Sequence, residues 1–263
     1  MHSTLQFRFS HKFSGIVWNT FGVPKRNVLI IEVRDEKKFK TQFFALDLQK
    51  NGFLWKDLSL HEDWWMGLTA VNEQVILFHT YSSRGNPDHK NLIAFDIFKG
   101  KLLWEVKDFS FCDWNEFEIW GYGTRDELVQ SSINIETGVV TEGIWGVQTK
   151  INQIDSIRPA LYLEGAPDFE TVRQFLDKST EYVISRGVEY LEWKKWIVIS
   201  VYVENKNVLA NHLIVLNDEG KILLEEKLGE NLGGIGTDTF FILEGCLFLV
   251  KNKSELVVYT LYD

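Results

Sequence analysis

Residues 44–57 read Phe-Ala-Leu-Asp-Leu-Gln-Lys-Asn-Gly-Phe-Leu-Trp-Lys-Asp, and residues 93–106 read Ile-Ala-Phe-Asp-Ile-Phe-Lys-Gly-Lys-Leu-Leu-Trp-Glu-Val. Asp47 and Asp96 stand 49 residues apart, and so do Trp55 and Trp104. A period in this range marks a supersecondary unit that buries its apolar face only against a neighbour. Here the unit is strand, tight turn, strand, which predicts the blades of a β-propeller. Asp47 and Asp96 sit just before the turn in both copies, where a short carboxylate accepts backbone N–H groups and holds the bend.

Upstream of the first copy, Leu5, Phe7 and Phe9 alternate with polar residues, the period of a half-buried strand. Strands follow over Ile16–Phe21 and over Val28–Val33, a nearly continuous apolar run that suits a strand buried on both faces. Asn51-Gly52 makes the first hairpin turn, a pair that accepts positive φ. Met66–Val71, Val75–Tyr81, Leu92–Ile97 and Leu102–Val106 repeat the order around Gly100. Weaker copies lie at residues 132–138, where Asn134 takes the place of Asp96, and at 213–228 around Gly220. Phe240–Leu243, Cys246–Lys251 and Leu256–Leu261 end the chain as three strands without a fourth. The orphan N-terminal strand is the donor that would complete them and remove an open sheet edge. The expectation is one all-β domain over residues 1–263: a five-bladed propeller closed by its N-terminal strand, with six blades as the alternative. The 82 residues between Gly138 and Gly220 exceed one blade. They hold a helical signal at 168–177, with Asp168 as its cap and Val172, Phe175 and Leu176 at helical spacing, inside an insertion of about 144–180.

Composition sets bounds on function. The net charge is −9, so a phosphate backbone is repelled on average and a nucleic-acid partner is not expected. Ten Trp accompany 19 Phe and 8 Tyr, and aromatics pack well between sheets. Cys112 and Cys246 have no CxxC or metal spacing, consistent with reduced thiols. The alternating N-terminus is not a signal peptide, and no apolar run reaches membrane-spanning length. These features predict a cytoplasmic protein that has no membrane partner.

Two family resemblances follow from quoted residues. The hairpins Ala45-Leu46-Asp47 to Trp55 and Ala94-Phe95-Asp96 to Trp104 resemble the repeat of quinoprotein-like β-propellers, which is a packing signature and carries no catalytic residue. Cys112 and Cys246 cannot form the vicinal disulfide that quinone-dependent members of that superfamily often hold. Glu32-Val33-Arg34-Asp35, Trp64-Trp65, His79-Thr80-Tyr81 with Pro87, and Pro159–Gly165 look like the signature positions of a small bacterial family of unknown function. That resemblance supports the propeller and transfers no site.

No motif for nucleotide binding, nucleophilic catalysis or a metal stands out, so neither a cofactor nor a metal is expected. Gly229, Gly233, Gly234 and Gly236 lack the Lys-Ser/Thr ending of a phosphate loop. The six His have no ligand spacing, and His61-Glu62-Asp63 are neighbours whose side chains point apart on an extended chain. The 49-residue register aligns Ile30 with His79, Glu32 with Tyr81, and Arg34 with Ser83. Glu32 and Arg34 therefore share one strand face, as do His79 and Tyr81. Trp64, Trp65, Trp120, Gly121, Tyr122 and Arg125 are the nearby aromatic and basic residues. A guanidinium, carboxylates and aromatic faces suit a sugar or a small acid. The competing interpretation is an inter-blade Glu32–Arg34 or Arg34–Asp35 charge network with aromatic packing. The functional expectation is a non-catalytic binding or protein-interaction module for a protein or small-molecule ligand. Its tentative ligand-binding set is Glu32, Arg34, Trp64, Trp65, His79, Tyr81, Trp120 and Tyr122. The alternative is a hydrolase or lyase acting on a carbohydrate-like substrate in the central channel, with acids such as Glu32 or Asp113.

Overall fold

A computed structural model describes residues 4–83, 86–115, 117–123, 128–143 and 156–262. The chain opens with β1 (Thr4–Lys12). A first sheet then runs in order through β2 (Ile16–Val23), β3 (Val28–Asp35), β4 (Lys40–Asp47) and β5 (Gly52–Leu58). The second comprises β6 (Met66–Val71), β7 (Val75–Ser83), β8 (Asn86–Asp96) and β9 (Lys101–Val106). The third comprises β10 (Phe109–Trp114), β11 (Glu118–Gly123), β12 (Val129–Asn134) and β13 (Val140–Glu142). These three sheets form one compact unit, Gly15–Asp155.

The other unit joins Met1–Ser14 to Ser156–Asp263. Its five-stranded sheet contains β14 (Ala160–Leu163), β15 (Ile184–Trp193), β16 (Trp196–Asn205), β17 (Val208–Asn217) and β18 (Ile222–Gly229). Helix α1 (Pro167–Leu176) lies between β14 and β15. The last sheet is β19 (Phe240–Leu243), β20 (Cys246–Lys251) and β21 (Glu255–Tyr262), completed by β1. β1 pairs antiparallel with β21 from Thr4 opposite Tyr262 to Lys12 opposite Glu255, so the N-terminal strand does supply the missing fourth.

One sequence expectation needs correction here. The N-cap of α1 is Ala166, whose side chain makes no cap; Pro167 starts the helix and Asp168 lies within its first turn. Its buried face is Phe169, Val172 and Leu176, with Phe175 half-buried. A proline at the first helical position has no N–H to satisfy and a preset φ, which replaces the cap. Residues 144–155 of the expected insertion, and Arg125, lie outside the described residues. Beyond 160 the interval does not make a separate sheet: β14, β15 and β16 add to the β17–β18 hairpin.

Alternation explains why the central strands read as unbroken apolar runs. In β7, Ile76 and Phe78 enter one core with Ile30 and Phe43 of the first sheet. Val75 and Leu77 enter the next, with Phe109, Ile119 and Ile133 of the third sheet. Both faces of the strand are thus buried between sheets.

The 49-residue repeat has a specific packing cause. Asp47 Oδ1 accepts the N–H groups of Gln49 and Lys50, and Asp96 Oδ1 those of Phe98 and Lys99. Asn134 does the same for Glu136 and Thr137. Each bend has a left-handed residue four beyond the capping side chain: Asn51 (φ 54), Gly100 (φ 59) and Gly138 (φ 72). The Trp of one hairpin lies on the bend of the next sheet. Trp55 donates through Nε1 to Ile97 O (2.8 Å), and Trp104 to Ile135 O (2.9 Å). A methyl on Gly100 would meet the Trp55 ring at 3.0 Å, and one on Gly138 the Trp104 ring at 2.6 Å. Trp, turn acid and Gly are one interlock between neighbouring sheets, which is why they recur together.

Candidate functional site

β3 is buried at every position, which leaves three ionisable side chains, Glu32, Arg34 and Asp35, buried in the first sheet. Alternation puts Glu32 and Arg34 on the same face. Arg34 Nε and Nη2 each lie 2.7 Å from Glu32 Oε1, and Nη2 also donates to Met66 O at 2.7 Å. Glu32 Oε2 accepts the Leu68 N–H at 3.0 Å. Glu32 is 1% exposed, and both of its oxygens are engaged. Burial raises its pKa above the ordinary carboxylate range, against the lowering effect of Arg34 and the Leu68 N–H. Of the two charge pairs anticipated from the sequence, the Glu32–Arg34 pair is therefore present. Asp35 stands apart from it, accepting the Lys37 and Lys38 N–H groups and pairing with Lys38 Nζ.

The guanidinium has aromatic neighbours on two sides. Its carbon lies 5.0 Å from the centre of the Trp18 ring and 5.5 Å from that of Trp64. Trp18 occupies a register shift in the β2–β3 pairing: Val17 opposes Val33 and Asn19 opposes Glu32, which leaves Trp18 unpaired. Such a shift re-aims a side chain. Phe39, in the turn between β3 and β4, packs edge-on against Trp64 at 5.6 Å. Trp18 is 60% exposed and Phe39 58% exposed. Phe39 also has φ 49, and among the described residues it is the only apolar side chain with positive φ outside glycine. Trp18, Phe39 and Trp64 thus form an outward aromatic surface above a satisfied ion pair.

Next to this surface, His79 on β7 pairs with Gly67 and meets a residue set free by a register shift in the second sheet. Leu68 opposes Phe78 and Ala70 opposes Leu77, so Thr69 is unpaired, and its Oγ1 lies 2.7 Å from His79 Nδ1. His79 stacks on His89 with ring centres 3.7 Å apart and planes 14° apart, and meets Tyr81 edge-on at 4.8 Å. A methyl on Gly67 would lie 2.9 Å from His79 Cε1 and 3.6 Å from Arg34 Nη2, so only this glycine separates the imidazole from the guanidinium. Burial, then His89 and Arg34, push the His79 pKa down to about 3. Burial lowers that of His89, with Asp88 opposing.

Of the residues singled out from sequence, Glu32, Arg34, Trp64, His79 and Tyr81 come together. The N–H groups of Trp65 and Trp64 are held by Glu62 Oε1, and the Trp65 carbonyl accepts the Tyr81 N–H. Trp120 is buried and Tyr122 half-buried on β11, and the contacts of Arg34 and His79 given above involve neither. Asp113 holds the N–H of Trp114. Sequence reasoning missed Trp18, Phe39 and His89. Elsewhere in the second sheet, His61, Lys90, Asn91, Glu105, Lys107 and Asp108 line an open cleft of about 500 Å3. Among the described residues no group of three His, Cys, Asp or Glu is placed to hold a metal, and no helix is long and apolar enough to cross a membrane.

A family described as a domain of unknown function (DUF4905) matches residues 23–104. That stretch contains Glu32, Arg34, Phe39, Trp64, His79 and His89, and stops short of Trp18. No curated protein matches the chain. Solved structures similar to it include a member of the duf4221 family from Bacteroides vulgatus, with 10% identity, a TM-score of 0.38, and coverage of 99% of this chain and 98% of that one. The β-propeller domain of the Trilobed protease from Pyrococcus furiosus aligns at 10% identity and TM-score 0.34, over 90% of this chain and 79% of that one. BamB from Moraxella catarrhalis aligns at 10% identity and TM-score 0.24, over 94% and 85%.

Proposed function

We propose that this protein is a non-catalytic protein-interaction module whose partner docks on Trp18, Phe39 and Trp64. The observation that carries the proposal is the exposure of Trp18 and Phe39 on a rigid base. An isolated exposed apolar residue needs no explanation, but clustered aromatics fixed in place supply contact area at little entropic cost. Phe39 adds a second argument, because a bulky side chain in the left-handed region costs about 1–2 kcal/mol and gains little burial in return. Strain kept at an exposed position is a feature of binding sites. Arg34 acts beneath the surface as a positioning residue, since its donors already serve Glu32 and Met66. The architecture belonging to this reading is a single five-bladed propeller, with the five sheets as its blades and β1 closing the ring. A cytoplasmic location and the absence of a cofactor are part of the same proposal.

Peptide display tests it directly: select binders on the intact protein, then counter-select on a Trp18→Ala/Phe39→Ala variant. Peptides that bind only the former support the reading, and binders indifferent to both substitutions oppose it. A hydrolase or lyase remains the second reading, favoured by Glu105 and Asp108 lining the open cleft. Turnover of an oligosaccharide that is lost in Glu105→Gln would replace the first reading with the second.

A further inference from the structure

The stacked histidines suggest how the aromatic surface is controlled. Two imidazoles lie face to face at 3.7 Å, and both are held neutral by burial. Among the described residues, His79 Nε2 and His89 Nδ1 are buried without a hydrogen-bond partner. Parallel rings cannot aim in-plane lone pairs at one ion, so the pair is not a metal ligand set. A proton on either ring instead sets a cation against its stacked neighbour. On His79 that cation also faces Arg34 across Gly67.

The surroundings offer little compensation. β6 contributes no titratable side chain, and its Thr69 hydroxyl meets Nδ1 of His79. β3 presents Arg34, a like charge, with Glu32 already committed to it. β8 provides Asp88, which favours a proton on His89 but is outweighed by burial. β10 sets Phe111 beside His89, with Cys112 and Asp113 on the same strand, and β7 adds Tyr81. The charged groups that bear on His79 are His89 and Arg34, and both disfavour a proton there.

We propose that the His79–His89 stack is an acid-operated latch on the aromatic surface. Protonation parts the rings, displaces Arg34 from its seat between Glu32 and Met66, and releases Trp18 and Trp64. This rests on the preceding reading for what the surface does, but the latch itself is measurable without any partner. Once parted, each imidazole titrates near its ordinary pKa of about 6.5. At pH 5 His79 alone then favours the open state roughly thirtyfold relative to neutral pH, and His89, also held below its ordinary value by burial, acts in the same direction.

The test is 19F NMR of the full chain labelled with 5-fluorotryptophan. The Trp18 and Trp64 resonances are assigned by Trp18→Phe and Trp64→Phe. Between pH 7.5 and 5 these two resonances are expected to move together through one transition while those of Trp55 and Trp104 stay fixed. His89→Phe should abolish the transition, and His79→Phe gives a second, independent check should the first variant fold poorly. The proposal is overturned if Trp18 and Trp64 keep their shifts to pH 5, or move equally in the His variants. Movement of all the resonances together would also overturn it, because it would report global unfolding and not a latch.

Discussion

Replacing Arg34 by Met is the most informative perturbation, because the side chain that remains decides the cost. Glu32 is 1% exposed and would lose its counter-ion while staying buried. Removing one partner of such a pair typically costs about 3–5 kcal/mol. Two cation–π contacts of about 0.5–1 kcal/mol each are lost as well, within that range. Urea denaturation at pH 7 should therefore show a lower midpoint with an unchanged slope, the mark of a change in stability alone. A Glu32→Gln/Arg34→Met double variant removes the buried charge and keeps an acceptor for the Leu68 N–H, so it should recover most of the loss. The pH dependence has a definite sign. Without Arg34 the folded pKa of Glu32 rises further above its unfolded value, which favours the folded state at low pH and penalises it as pH rises. The deficit of Arg34→Met should shrink from pH 7 to pH 5. A cost below about 1 kcal/mol, or a deficit that does not change with pH, would refute the account of Arg34 as the buried seat of the aromatic surface.

Other outcomes follow from the same geometry. Because His79 is held neutral with a pKa of about 3, the unfolded chain takes up its proton first, and stability falls as pH drops below about 6.5. The share from His79 should reach about 2 kcal/mol at pH 5, read as the difference in urea midpoint between the protein and His79→Phe. Phe39→Gly should raise the thermal midpoint by relieving about 1 kcal/mol of left-handed strain while weakening any peptide that binds the surface. Gly138→Ala should cost at least about 1 kcal/mol, because the new methyl meets Trp104 and the φ of 72° is unfavourable for it; loss of the Trp104 near-ultraviolet signal would accompany it. Deleting residues 1–12 uncovers the edge of β21, and light scattering should then show association at concentrations where the full chain is monodisperse.

The hairpin repeat was legible because one interlock demands Asp or Asn, a left-handed residue and Trp at fixed offsets, so packing wrote itself into local sequence. The pairing of β1 with β21 was legible for the opposite reason, an excess of unpaired strand at both ends. Glu32 with Arg34 could be read from alternation alone. Trp18 could not, because its direction depends on a register shift in β2 that no residue type announces. The same holds for Thr69 in β6. His89 sits in a polar stretch, Asp88-His89-Lys90, that reads as a solvated loop, yet β8 extends through it and carries the ring under His79. The adjacent Trp64 and Trp65 looked equivalent; the Glu62 cap holds both N–H groups, and the Trp64 ring lies against Arg34.

The measurement that bears most directly on the docking surface is hydrogen exchange with a displayed peptide bound. The account predicts added protection confined to residues 16–20, 36–42 and 62–66, and no protection in a Trp18→Ala/Phe39→Ala variant. Protection centred on Lys90, Glu105 and Asp108, unchanged by those substitutions, would contradict it.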